Sequence, residues 1–176
     1  QYGDVGRSSY AFDLDYQHRE GDRPNNDISR IEWYTRFKQG VTPDDSALLL
    51  VKYQDYDSGD NFQYLDPDSA RPRFRITESQ EPLLLAGWHH QWSPGVHTLL
   101  LAGRLVNDQR VTDAGAGQRI AIVNPPDMFD PTNTVPLDLE YRSEFETWSA
   151  ELNQIIQRED HTDILGVRYQ DGTFEA

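Results

Sequence analysis

The sequence predicts an all-β chain, an antiparallel up-and-down sheet of the kind that walls a β-barrel. Three observations carry that prediction. The segment Glu81–Asn107 holds two strand-like runs around Ser93-Pro94-Gly95, each with small or aliphatic residues in its middle and Trp, His or Arg towards an end. At about ten residues, each run exceeds an average soluble strand but matches a tilted membrane-spanning one. The same alternating design recurs on both sides of this hairpin, with the period of two that marks a half-buried strand. Short turns and long loops also follow one another in a regular order, placing like connections on like edges of a meander.

The elements follow in order. From Ser9 to Arg19, Tyr10, Phe12, Leu14 and Tyr16 share one face, while Asp13, Asp15, Gln17 and Arg19 share the other. Gly21–Asp27 is a polar turn. Ile28–Gln39 sets Ile31, Trp33, Thr35 and Phe37 against Arg30, Glu32, Tyr34, Arg36 and Lys38. A short turn around Pro43-Asp44-Asp45 leads to Ala47–Tyr56, where Leu49, Val51 and Tyr53 oppose Leu48, Leu50, Lys52 and Gln54. Long loops are expected over residues 57–80 and 108–136, on either side of the Glu81–Asn107 hairpin. Leu139–Gln157 alternates Trp148, Ala150, Leu152 and Ile156 with Glu151, Asn153 and Gln157. Helical spacing of Phe145, Trp148, Leu152 and Ile155 competes there, but a following turn at Arg158–His161 and the alternating run Thr162–Gln170 complete a hairpin. The expectation is about seven strands in one domain spanning residues 1–176.

Composition narrows the function classes. Asp and Glu number 30 against 16 Lys and Arg, a formal charge of −14. Such a surface repels phosphate backbones and argues against nucleic acid. There is no cysteine, hence neither a disulfide nor a thiolate metal site. No apolar run is long enough for a transmembrane helix, and no signal-peptide pattern opens the chain. A low mean hydropathy of −0.77 disfavours helical insertion but suits a barrel whose strands face a polar interior at every second residue. Short turns at one rim and long loops at the other are the habit of bacterial outer-membrane barrels. A soluble β-sandwich is the competing fold, since its charged strand faces would simply meet water.

The stretch Gln80–Leu105, with Val135-Pro136-Leu137-Asp138-Leu139 and Tyr141–Leu152, resembles the porin-like C-terminal barrel of large Gram-negative outer-membrane proteins that carry tetratricopeptide repeats. The resemblance covers Ile28–Phe174. It implies an outer-membrane location, lipid as the immediate partner, an attached periplasmic repeat domain or export machinery, and passage of solutes or an exported polymer. It supplies no catalytic residues. This chain lacks the repeats and ends Thr-Phe-Glu-Ala, whereas complete barrels of that class end on an aromatic residue. It is therefore expected to be part of a larger barrel, the alternative being an eight-stranded barrel closed by a short strand within Gln1–Arg7.

The expected outward, lipid-facing set is Tyr10, Phe12, Leu14, Trp33, Phe37, Val51, Trp88, Leu99, Leu101, Trp148, Leu152 and Val167. The expected lumen-lining set is Asp13, Asp15, Arg19, Arg30, Glu32, Arg36, Lys38, Lys52 and Arg104. His89 and His97 are weak metal candidates, because adjacent His89 and His90 must point oppositely and no carboxylate completes a site. No cofactor is expected. Acidic pairs such as Asp13/Asp15 and Glu144/Glu146 arise by chance in so acidic a chain, and no nucleophile elbow or phosphate loop is present, so the chain reads as a non-enzyme. Asp55, Asp57, Asp60, Asp66 and Asp68 read as turn-forming residues on a solvated loop rather than a calcium site. Three functions remain: a channel wall with a polar lumen, a structural or adhesive barrel binding an outside partner through its long loops, and a soluble carbohydrate-binding sandwich.

Overall fold

The computed structural model describes residues 1–65, 70–121 and 134–176, with the backbone alone at 116–121 and 134–136. Eight strands run in chain order: β1 (Tyr2–Val5), β2 (Ser8–Arg19), β3 (Ile28–Gly40), β4 (Asp45–Ser58), β5 (Phe74–Ser93), β6 (Val96–Ala121), β7 (Thr134–Gln157) and β8 (Thr162–Glu175). They form one antiparallel sheet in the order β1-β2-β3-β4-β5-β6-β7-β8. Each strand pairs only with its sequence neighbours, and β1 does not pair with β8, so the sheet is open. The run Leu139–Gln157 is strand, and the extra element within the first seven residues is β1.

Every connection on one edge is tight. Gly6 and Gly95 take positive φ, at 60° and 81°, in the turns that open β2 and β6, a conformation glycine adopts without a Cβ penalty. The β3–β4 turn is closed by Thr42, whose hydroxyl donates to Asp45 Oδ2 at 2.6 Å and accepts from the Asp45 amide at 2.9 Å. The β2–β3 connection and the described parts of the β4–β5 connection are longer and lie on the opposite edge.

The expected loop boundaries are corrected. β5 begins at Phe74, β6 continues through Ala121 and β7 begins at Thr134, so 74–80 of the first assigned loop, and 108–121 and 134–136 of the second, belong to strands. Their polar composition, Thr77-Glu78-Ser79-Gln80 against Asn107-Asp108-Gln109-Arg110, hides the alternation, yet the pairs Thr77↔Arg110 and Ser79↔Asp108 continue the ladder. Register slips between Lys52 and Gln54 and between Glu81 and Leu84 mark the change from apolar to polar strand. Such bulges bend and twist a strand locally.

No apolar core sits within the sheet. The only buried hydrophobic residue among those described is Phe74, at 5% exposure. The accessible surface is 12543 Å², against roughly 8,800 Å² for a compact monomer of this mass. Among the described residues the strands form a single layer, with no second sheet over either face as a two-layer sandwich would have.

Candidate functional site

The register sorts side chains onto two faces. Tyr10, Phe37, Leu49, Ala86, Ala102, Ala150 and Tyr169 form one continuous cross-strand row, and Phe12, Thr35, Val51 and Leu84 another. Ten members of the outward set share this face: Tyr10, Phe12, Leu14, Trp33, Phe37, Val51, Trp88, Trp148, Leu152 and Val167. Most are exposed, from Tyr10 at 38% to Val167 at 65%. The opposite face is concave, because residues from five consecutive strands, Lys38, Leu48, His89, Leu101 and Glu151 among them, line one cavity there.

Two expectations fail. Leu99 and Leu101 lie on the concave face, opposite His89 and Gly87. Leu99, Leu100 and Leu101 are consecutive and apolar, so alternation alone does not choose among them; the pairing of Leu100 with Trp88 does. Arg104 was expected inside, but it pairs with Leu84 and Trp148 on the convex face. There its guanidinium lies 5.5 Å from the Trp148 ring centre and donates to Glu81 at 2.9 Å and Glu146 at 3.0 Å. Asp13, Asp15, Arg19, Arg30, Glu32, Arg36, Lys38 and Lys52 do share the concave face, with Arg30 donating to Asp15 at 2.9 Å.

The convex apolar band is oblique to the hydrogen-bonding rows. On β2 it runs from Tyr10 to Tyr16, about 20 Å of strand. On β8 it centres on Val167, whose row passes through Leu152, Leu100, Trp88, Ala47 and Gln39 to reach β2 at Ser8. The band thus slides about five residues, ~17 Å, over six strand spacings of ~4.8 Å, an inclination of about 30°. Beyond the bulges the same face turns charged, with Arg142 donating to Asp108 at 3.1 Å and Arg110 to Glu140 at 2.7 Å. Towards the tight turns the band ends in aromatics. His90 stacks on Trp88 at 5.6 Å, meets Trp92 edge-on at 4.4 Å and contacts Asp45 Oδ1 at 2.8 Å.

His89 and His97 do come together on the concave face, Nε2 to Nδ1 at 3.0 Å with rings 5.1 Å apart. Each ring spends a nitrogen on the other. Among the described residues no group of three His, Cys, Asp or Glu side chains is placed to hold a metal ion.

The long-loop edge carries a polar knot that sequence reasoning missed. Asp60 is fully buried, not solvated. Its carboxylate accepts from the Arg71 amide at 2.7 Å, Arg23 at 3.2 Å, Tyr64 at 3.1 Å and the Phe62 amide at 3.2 Å. Burial pushes its pKa up, but these donors outweigh it and hold the carboxyl below its ordinary range. Burial, and then the Asp60 carboxylate, hold the Tyr64 phenol above its own. Asn25, at φ 57°, donates to the carbonyls of Arg71 and Phe74 at 3.0 and 2.7 Å. Gly59 admits this approach, since a Cβ there would run into the Asn25 carbonyl oxygen. The signal in the sequence was Pro24-Asn25-Asn26, a left-handed turn candidate. Asp55 and Asp57 are strand residues of β4, while Asp66 and Asp68 lie outside the described residues.

Comparison of the chain with protein-family models, with curated proteins and with solved structures found no match.

Proposed function

We propose that this sheet forms wall of an outer-membrane β-barrel whose concave face lines a polar channel for solutes or an exported polymer. The observation that carries the reading is the oblique apolar band. A bilayer cuts tilted strands obliquely, so lipid-facing residues in a barrel should drift along the rows by the strand tilt, about 35–45°. The band's inclination of about 30° comes close to that, and no internal packing in this chain calls for it. The aromatics at the tight-turn end suit the membrane–water boundary, where amphipathic rings are favoured. The charged rows beyond the bulges suit strands projecting above the bilayer.

In this reading outer-membrane lipid covers the convex face, and a periplasmic repeat domain or export machinery works alongside the barrel. The free edges of β1 and β8 must be paired in the membrane, because lipid offers no hydrogen bonds. Extraction followed by planar-bilayer recording tests the proposal. Detergent-dependent solubility and stable ohmic conductance are the expected results. A protein that remains monodisperse without detergent and leaves bilayers silent would overturn it. A structural or adhesive barrel is the second reading, favoured by the knot around Asp60, which offers an ordered surface at the long-loop edge. Insertion without conductance would select it.

A further inference from the structure

The concave face holds a pattern that a simple water-filled channel does not need. Lumenal faces of such barrels are polar, and on β2 and β3 this one is. On β4 to β6, between Lys52 and the histidines His89 and His97, it carries leucines: Leu48, Leu50, Leu85, Leu99 and Leu101 surround Gly87. Over that stretch the three strands are apolar on both faces. Gly87 opens the space. A Cβ there would meet Leu48 Cβ at 3.4 Å and Leu101 Cδ1 at 3.6 Å, so the absent side chain leaves the floor of a cavity of about 500 Å³. That size lies within the ~300–1,000 Å³ of ordinary ligand pockets.

One wall of this groove is cationic. Lys38 lines the cavity and pairs across from Leu48, while Arg36, paired with Leu50, stands two residues away on the same face beyond the lining. Among the described residues no carboxylate lies within ion-pair distance of either, whereas eight arginines of the chain have one. Acids are plentiful in a chain of net charge −14, but those that share a pocket with Lys38, namely Glu151 across the groove and Asp4, Asp44 and Asp45 on its other side, form no ion pair with it. The other wall is neutralised: Glu151 accepts from Asn153 at 2.6 Å and Arg168 at 2.7 Å.

We propose that the groove binds an anionic amphiphile, its alkyl body on the leucine floor around Gly87 and its single anionic head group at Lys38 and Arg36. The inference rests on the channel reading for its access route, and it names the class of cargo. Leucines remove the alkyl chain from water, and the two cations select the sign of the head group.

The test is equilibrium dialysis of decanoate against the protein in phosphatidylcholine nanodiscs, with empty nanodiscs subtracted, or in buffer should the protein prove soluble. Saturable binding is expected, strengthening about two- to fourfold per methylene from hexanoate to decanoate. The double variant Lys38→Gln/Arg36→Gln should weaken it about tenfold, the loss of one charged contact. Gly87→Leu should abolish it, and Gly87→Ala, whose added methyl meets only ordinary contacts, should weaken it with the fold intact by circular dichroism. Acetate and decyltrimethylammonium should bind far less. Absence of saturable binding, equal binding of the cationic amphiphile, or indifference to both sets of variants would overturn the inference. Conductance without decanoate binding sinks the inference alone; decanoate binding by a protein that never conducts sinks the channel reading alone.

Discussion

On the convex face of β5 to β7, two stretches of the same strands carry opposite chemistry. Between the tight turns and the bulges the rows read Trp88–Leu100–Leu152 and Ala86–Ala102–Ala150. Beyond the bulges they read Ser79–Asp108–Glu144 and Thr77–Arg110–Arg142. Backbone pairing continues through both. What changes is the partner each stretch requires: the first leaves large apolar side chains bare, while the second pairs its charges with one another. On the proposed membrane reading, two solvents for one face would account for this without any change of fold, with the boundary at Arg104 and Glu81.

The largest expected effect breaks the comparison at mid-band. Ala102→Arg should cost about 2–4 kcal/mol if that row faces lipid, read as a shift in urea unfolding in vesicles. The same substitution at Ser79, beyond the bulges, should cost under about 0.5 kcal/mol, as exposed positions do. Equal costs at the two sites would remove the two-solvent explanation.

Next is the polar knot, which the apolar band lacks. Asp60→Ala orphans four donors and should destabilise the long-loop edge by about 2 kcal/mol, seen as faster amide exchange around Arg71–Phe74 and little change in the band. Its pH dependence has a definite sign. The folded-state pKa lies below the ordinary value of 3.8. The stabilisation is therefore complete above about pH 4 and is lost as pH falls through the folded value. Protection at Arg71 that is flat down to pH 2 would contradict this.

Smaller still is the boundary itself. Arg104→Ala removes contacts to Glu81, Glu146 and Trp148, all exposed, and should lower the unfolding midpoint only slightly. A large loss would place Arg104 inside the bilayer rather than at its edge. Smallest in stability is the concave face. Neutralising Arg30, Arg36 and Lys38 together should leave unfolding unchanged while shifting bilayer reversal potentials towards cation selectivity. Unchanged potentials would separate these residues from any conducting path.

Alternation alone made the all-β meander legible, together with which apolar residues share one face on β2, β3, β7 and β8 and which charged residues share the other on β2 and β3. A strand's side-chain period is two, so where one parity is apolar and the other polar, as in Tyr10–Tyr16, the face follows from the residues. That reading fails where both parities are alike. Leu99, Leu100 and Leu101 offer no contrast, and only cross-strand registration with β5 put Leu100 on the convex face and its neighbours on the concave one. Arg104 followed the same phase, contrary to its charge. The polar continuations of β5 and β6 were invisible for the complementary reason, since strands whose two faces both carry charge look like loops. The tertiary structure alone brought Asp60 under Arg23 and Arg71, because contacts between residues distant in sequence depend on where the ladder sets the connections; the approach of His89 to His97 across one hairpin was already legible. The oblique drift of the apolar band belongs to that category as well: each strand contributes its own apolar run, but only seven strands in register show that the runs climb together.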